Sequence, residues 1–182
     1  LQSSSAASDV YKRQPLNNCG VMALDYSTKN GVATSIGHSP VSALIDPNAG
    51  SKNSIAEALT NIIWAPIENG LKGVSLSANW MWPCKNEGED ARLYKAVESV
   101  SKFAIELGIN IPTGKDSLSM NQKYENLEVK SPGTVIVSAT AHCNNISNII
   151  EPVFKLDKGS IFYINLSSDC LLYTSDAADE LC

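Results

Sequence analysis

Residues 134–143, TVIVSATAHC, form one continuous apolar run of strand character. A strand with so little polar relief is expected at the centre of a sheet. Two segments with helical spacing stand upstream of it. Ile55, Leu59, Ile62 and Ile63 share one face, which predicts a helix running to about Trp64 and ended by Pro66, with Ser51 or Ser54 as its cap. Leu93, Val97, Val100, Ala104 and Leu107 recur every three or four positions, which predicts a longer helix from Glu89 or Asp90 to Leu107, stopped by Gly108. The acidic residues at its start suit the helix dipole.

Between these markers the chain alternates. CGVMAL (19–24) and VATSIG (32–37) read as two strands joined across Asn30-Gly31, a hairpin. VSALIDP (41–47) is expected to be a further strand closed by Pro47, GVSLSANW (73–80) a buried strand, and MWPCKNEGED (81–90) a loop rich in breakers. Strands alternating with helices imply an α/β or α+β domain. IIEPVFKLDKGSIFYINLS (149–167) reads as the entry to another unit.

The ends belong to a different kind of sequence. SSAASDVYKRQ (4–14) resembles the translation of a transposon-type sequencing adapter, and CLLYTSDAADE (170–180) resembles the translation of the opposite strand of the same DNA. The expected division is therefore 1–14 adapter-like, 15–147 an α/β domain, 148–169 the truncated start of a following domain, and 170–182 adapter-like. The chain of 182 residues is 43% hydrophobic and carries a formal charge of -5. Without the six charged residues of the adapter-like runs it holds 12 basic and 15 acidic residues, a balance that argues against a nucleic-acid partner gripped through its phosphates. No apolar run approaches the roughly 18 residues needed to span a bilayer, so no membrane partner is expected. Cys19, Cys84 and Cys143, without C-x-x-C spacing, read as reduced, mostly buried thiols of a cytoplasmic protein.

Two local patterns can carry chemistry. GKDSLSM (114–120) looks like half of a phosphate loop, but Gly108 lies one residue too far upstream and Asp116 stands where a hydroxyl belongs. On spacing the phosphate-loop motif fails, and the local sequence favours an ordinary surface turn with a solvated Lys115. Glu57 and Asn61 lie four apart, so both project from one helix face. Their oxygens suit Mg²⁺, which takes hard ligands and shares itself with nucleotide phosphates, yet a solvated helix face or a Glu–Asn hydrogen bond gives the same spacing. Trp80 and Trp82 could stack on a base, or pack in a buried turn.

LSANWMWPCKNEGEDARLY (76–94), INIPTGKDSLSM (109–120), ATSIG (33–37), ALIDP (43–47) and AEALTNI (56–62) together resemble the phosphoribosylformylglycinamidine synthases of purine biosynthesis. The resemblance runs from about Pro15 through Leu156. It implies the second of two aminoimidazole-ribonucleotide-synthetase-like amino-terminal domains of the large single-chain enzyme, with a mixed sheet and packed helices. In that family nucleotides lie between domains with several Mg²⁺ ions rather than in a phosphate loop. The resemblance further implies pairing with the other synthetase-like half through the sheets, and an auxiliary site holding ADP. Carried over by position, it makes Glu57, Asn61 and Asn18 metal ligands, sets Asn17 beside the nucleotide, and makes Lys115 and Ser117 candidate phosphate contacts. Asn18 departs from the family's aspartate at that place, so a negative charge is missing. The implied reaction is ATP-dependent conversion of formylglycinamide ribonucleotide to the amidine, with ammonia from glutamine. Neither His38 nor His142 lies in a motif matching a glutaminase, so this chain alone is expected to make no product. The rival readings are a related enzyme of the superfamily, such as a thiamine-phosphate kinase or selenophosphate synthetase, and a non-catalytic structural module.

Overall fold

The computed structural model describes residues 18–151 and 159–164. The chain divides into two units after residue 152, and the first holds every element described below. Strand β1 (Cys19–Ala23) turns through Asn30 into β2 (Gly31–His38), as the hairpin pattern predicts. Helices α1 (Pro40–Ile45) and α2 (Pro47–Ile62) follow, then a 3-10 turn (Gly70–Gly73) and β3 (Val74–Met81). Helix α3 (Glu89–Leu107) leads into β4 (Asn110–Ser117), the short strands β5 (Asn121–Lys123) and β6 (Glu128–Lys130) pair with each other, and β7 (Thr134–Cys143) closes the domain.

The main sheet has the order β1-β2-β7-β3-β4, antiparallel except for the parallel β3–β4 pair. The run 134–143 is central, as expected. It is covered on one face only: Val135, Val137, Ala139 and Ala141 are buried against the helices, while Thr140 and His142 on the alternate positions are exposed. What reads as a continuous apolar run is thus an alternation in which Ser138, Thr140 and His142 mark an open face. The core sits between the sheet and helix α2, where Ile55, Ala58, Leu59 and Ile62 meet Ala33, Val137 and Ala139.

Helix α3 has the predicted bounds, and Gly108 caps it in the left-handed conformation at φ 68°. Its buried face is set by Ala96, Ser99, Val100 and Ala104, which leaves Val97 43% exposed. Trp82 is fully buried and donates its indole N–H to Glu89 at 2.8 Å, so it packs rather than stacking on a ligand.

Two expectations are corrected. VSALIDP is not a strand: residues 40–45 form helix α1, with Pro40 in its first turn and Arg92 donating to the carbonyls of Ala43 and Leu44 at its end. Proline is tolerated at a helix start because its missing N–H has no partner there in any case. Helix α2 likewise begins at Pro47, and its cap is Asp46, which accepts from the Asn48 N–H at 2.8 Å; Ser51 and Ser54 are buried inside the helix. Pro47 therefore opens an element that the sequence pattern has it closing. The expected entry to a further unit, 149–167, lies largely outside the described residues; 159–164 carry no regular structure.

Candidate functional site

Helix α2 crosses the end of strand β2, and this crossing brings the proposed metal ligands together. Asn18 precedes β1, Glu57 and Asn61 project from α2 one turn apart, and all three line one cavity of ≈ 730 Å³. Its floor is the open sheet face, with the hydroxyls of Thr34 on β2 and of Ser138 and Thr140 on β7. Sequence reasoning missed this floor. The signal was present as small polar residues on alternate positions of two apolar strands.

Two hydrogen bonds orient the helix side chains. Asn61 donates its amide Nδ2 to the Ile36 carbonyl at 3.0 Å, and Glu57 Oε2 accepts the His38 backbone N–H at 2.6 Å. Each bond uses one end of a forked group. The carboxamide oxygen of Asn61 and the second carboxylate oxygen of Glu57 have no partner among the described residues. The Glu–Asn pairing across the helix face is not made; both side chains instead hold the backbone of β2.

The donor chemistry fits a hard cation: one carboxylate and two carboxamides, all oxygen. Among the described residues, no group of three or more His, Cys, Asp or Glu side chains could hold a metal ion, so any ion here would depend on the amides and on its ligand. Among the described residues, no lysine or arginine lines the cavity, and Glu57 is its only carboxylate. An anionic ligand would meet a negative field there unless a cation came with it. Cys19 also lines the cavity, and burial, with Cys143 nearby, pushes its thiol above the ordinary range. It is a poor nucleophile at neutral pH.

The other candidates lie elsewhere. GKDSLSM is not a loop over its first half: Gly114 to Ser117 finish β4, pairing with Ala78 to Met81 of β3. Strand β4 is the sheet edge opposite β1, so Lys115 and Ser117 do not join Glu57. Lys115 lines a separate cleft between β4 and α3, with Trp80, Leu93, Val97 and Ile111. Pairing with β3 overrides the poor strand propensity of glycine, aspartate and serine. Asn17 lies outside the described residues.

Comparison with known proteins agrees with this fold. A family model described as the FGAR-AT PurM_N-like domain matches residues 11–142. A probable phosphoribosylformylglycinamidine synthase of Caenorhabditis elegans is 43% identical over 155 residues, 85% of this chain and 12% of the relative. The phosphoribosylformylglycinamidine synthase of Homo sapiens is 37% identical over 155 residues, again 12% of its length. The chain thus spans about 12% of the curated relatives it matches. Among solved structures, Thermotoga maritima PurL complexed with FGAR aligns with a TM-score of 0.61 at 15% identity, covering 74% of this chain and 20% of that one. The same protein complexed with ATP gives 0.57 at 16% identity, covering 75% and 22%. At such identities the likeness is one of fold, and the sequence match supplies the kinship: the chain belongs to the FGAR-AT PurM_N-like domain family.

Proposed function

We propose that this chain is the second synthetase-like amino-terminal domain of a phosphoribosylformylglycinamidine synthase, and that its cavity is an auxiliary nucleotide site. The whole enzyme would use ATP and glutamine-derived ammonia to turn formylglycinamide ribonucleotide into the amidine. PurL is solved in complexes with ADP, with ATP and with FGAR, which supports a nucleotide and a purine ribotide as ligands here. The observation that carries the reading is the convergence of Asn18, Glu57 and Asn61 on one cavity, with one oxygen each of Glu57 and Asn61 unpaired among the described residues. Bound Mg²⁺ would offset phosphate charge that the cavity's own side chains cannot. With Asn18 in place of an aspartate, the ion would lean more on the phosphates.

Residues 15–147 form the domain and 148–169 the start of the next, with adapter-derived runs outside them. The domain pairs with the other synthetase-like half through the open sheet face, works in the cytoplasm, and makes no product alone. Asn17 would sit beside the nucleotide.

Nucleotide and magnesium content of the full-length enzyme, with and without Glu57→Ala, tests the assignment. Co-purifying ADP should fall by about tenfold or more in the variant; unchanged ADP withdraws the metal set. Lys115 and Ser117, at the far sheet edge, would contact the phosphate of a different ligand. Lys115→Ala is accordingly expected to weaken formylglycinamide ribonucleotide binding, read as a higher KM, while leaving ADP content intact.

A further inference from the structure

The two bonds that orient Glu57 and Asn61 fall on the two residues that flank one glycine. Asn61 reaches the carbonyl of Ile36, Glu57 receives the N–H of His38, and Gly37 stands between them. A Cβ on Gly37 would overlap the Ser54 carbonyl oxygen and the Ala58 amide nitrogen, and would lie 3.1 Å from Ala58 Cα. These are backbone atoms of α2, which cannot swing aside as a side-chain tip can. Two residues earlier, buried Ser35 donates its hydroxyl to the Ala58 carbonyl at 2.6 Å, on the same seam.

We infer that Gly37 is the positioning residue of this cavity: its missing side chain lets α2 lie on β2 closely enough for both ligand side chains to clamp the strand backbone. The clamp turns one oxygen of each toward the cavity. A helix lifted by a methyl group loses both hydrogen bonds at once, since they flank the point of contact. The freed side chains then sample several rotamers, and a hard cation that needs fixed oxygens loses two of its protein ligands together. Gly37 is not among the residues that line the cavity and acts only through the helix.

This inference rests on the auxiliary-site reading, and the experiment separates the two. Full-length enzyme is stripped with EDTA, and ADP retention is titrated against Mg²⁺ for wild type, Gly37→Ala, Ser35→Ala, Glu57→Ala and Gly50→Ala. Gly50 is the matched control, because a Cβ there would overlap the backbone of Ala43 in α1 rather than β2. Gly37→Ala should raise the Mg²⁺ midpoint about tenfold, and Ser35→Ala, which loosens the seam without adding bulk, about threefold. Gly50→Ala should lower the melting temperature while leaving the midpoint within twofold of wild type. Should Gly37→Ala fail to fold, Ser35→Ala decides. A midpoint for Gly37→Ala, or failing that Ser35→Ala, no different from Gly50→Ala, with Glu57→Ala still shifted, overturns the positioning role alone. No shift with Glu57→Ala overturns the site, and the inference with it.

Discussion

Asp25 shows how far single residues set local order. In the β1–β2 turn its carboxylate accepts from the Thr28 hydroxyl and N–H and from the Ser27 N–H and hydroxyl, at 2.6 to 3.0 Å. These bonds, Thr28's first, hold its carboxyl at about 2 against an ordinary 3.8. A depressed folded value means the turn is held above the unfolded carboxyl range and released as pH falls from about 4 through 2. The amide signals of Ser27 and Thr28 should titrate with a midpoint near 2; a midpoint near 4 would show that the turn is open in solution. At this scale the site was half legible. Four-residue spacing put Glu57 and Asn61 on one helix face, but nothing in AEALTN says that their partners are backbone atoms of Ile36 and His38. Contacts between elements leave no local trace, and so the metal reading came from family resemblance.

Elements were legible where pattern and packing agree. Helix α3 was bounded correctly because its apolar spacing, acidic start and terminal glycine all mark the same ends. Helix α1 was missed because a proline that opens a helix and one that follows a strand are the same letter. Strand β4 was missed because GKDS forms a strand only by borrowing hydrogen bonds from β3. Helix α2 is the element on which the site depends, and its anchor is Ile62, fully buried in the core. Ile62→Ala should cost about 2–5 kcal/mol of unfolding free energy in urea titration of the domain, through lost burial and the cavity left behind. A loss below about 1 kcal/mol would mean that the core collapses to fill the gap.

At the scale of the whole domain, among the described residues of the first unit, the helices cover one sheet face and leave the other open. That face carries Ile36, 54% exposed, beside Thr34, Ser138 and Thr140 in the cross-strand register. Small hydroxyl residues leave room for a second sheet to approach, which is the geometry that the proposed pairing with another synthetase-like half would require. An expressed domain of residues 15–151 should therefore self-associate with rising concentration, and Thr140→Lys with Ser77→Lys, Ser77 being the β3 residue that pairs with Ser138, should keep it monomeric in sedimentation. Wild-type domain that stays monomeric at every concentration would remove the open face as the pairing surface. The fold class was legible because alternation of strands and helices survives uncertain boundaries; the open face was not, because serine and threonine were counted among apolar neighbours.

The strand order also governs when this domain can fold. Among the described residues β7 is the last sheet strand in sequence, yet it lies between β2 and β3, joined to partners whose residues were made about a hundred positions and about sixty positions earlier. On the ribosome the β1–β2 hairpin and the β3–α3–β4 unit emerge as two pieces of sheet with no hydrogen bond between them, each exposing the edge that β7 will fill. Neither piece completes the core alone, so folding waits on the final strand, and long-range pairing of this kind is slow. The nascent chain thus carries two unpaired inner edges until Cys143 has left the exit tunnel, and that interval is when it most needs a chaperone.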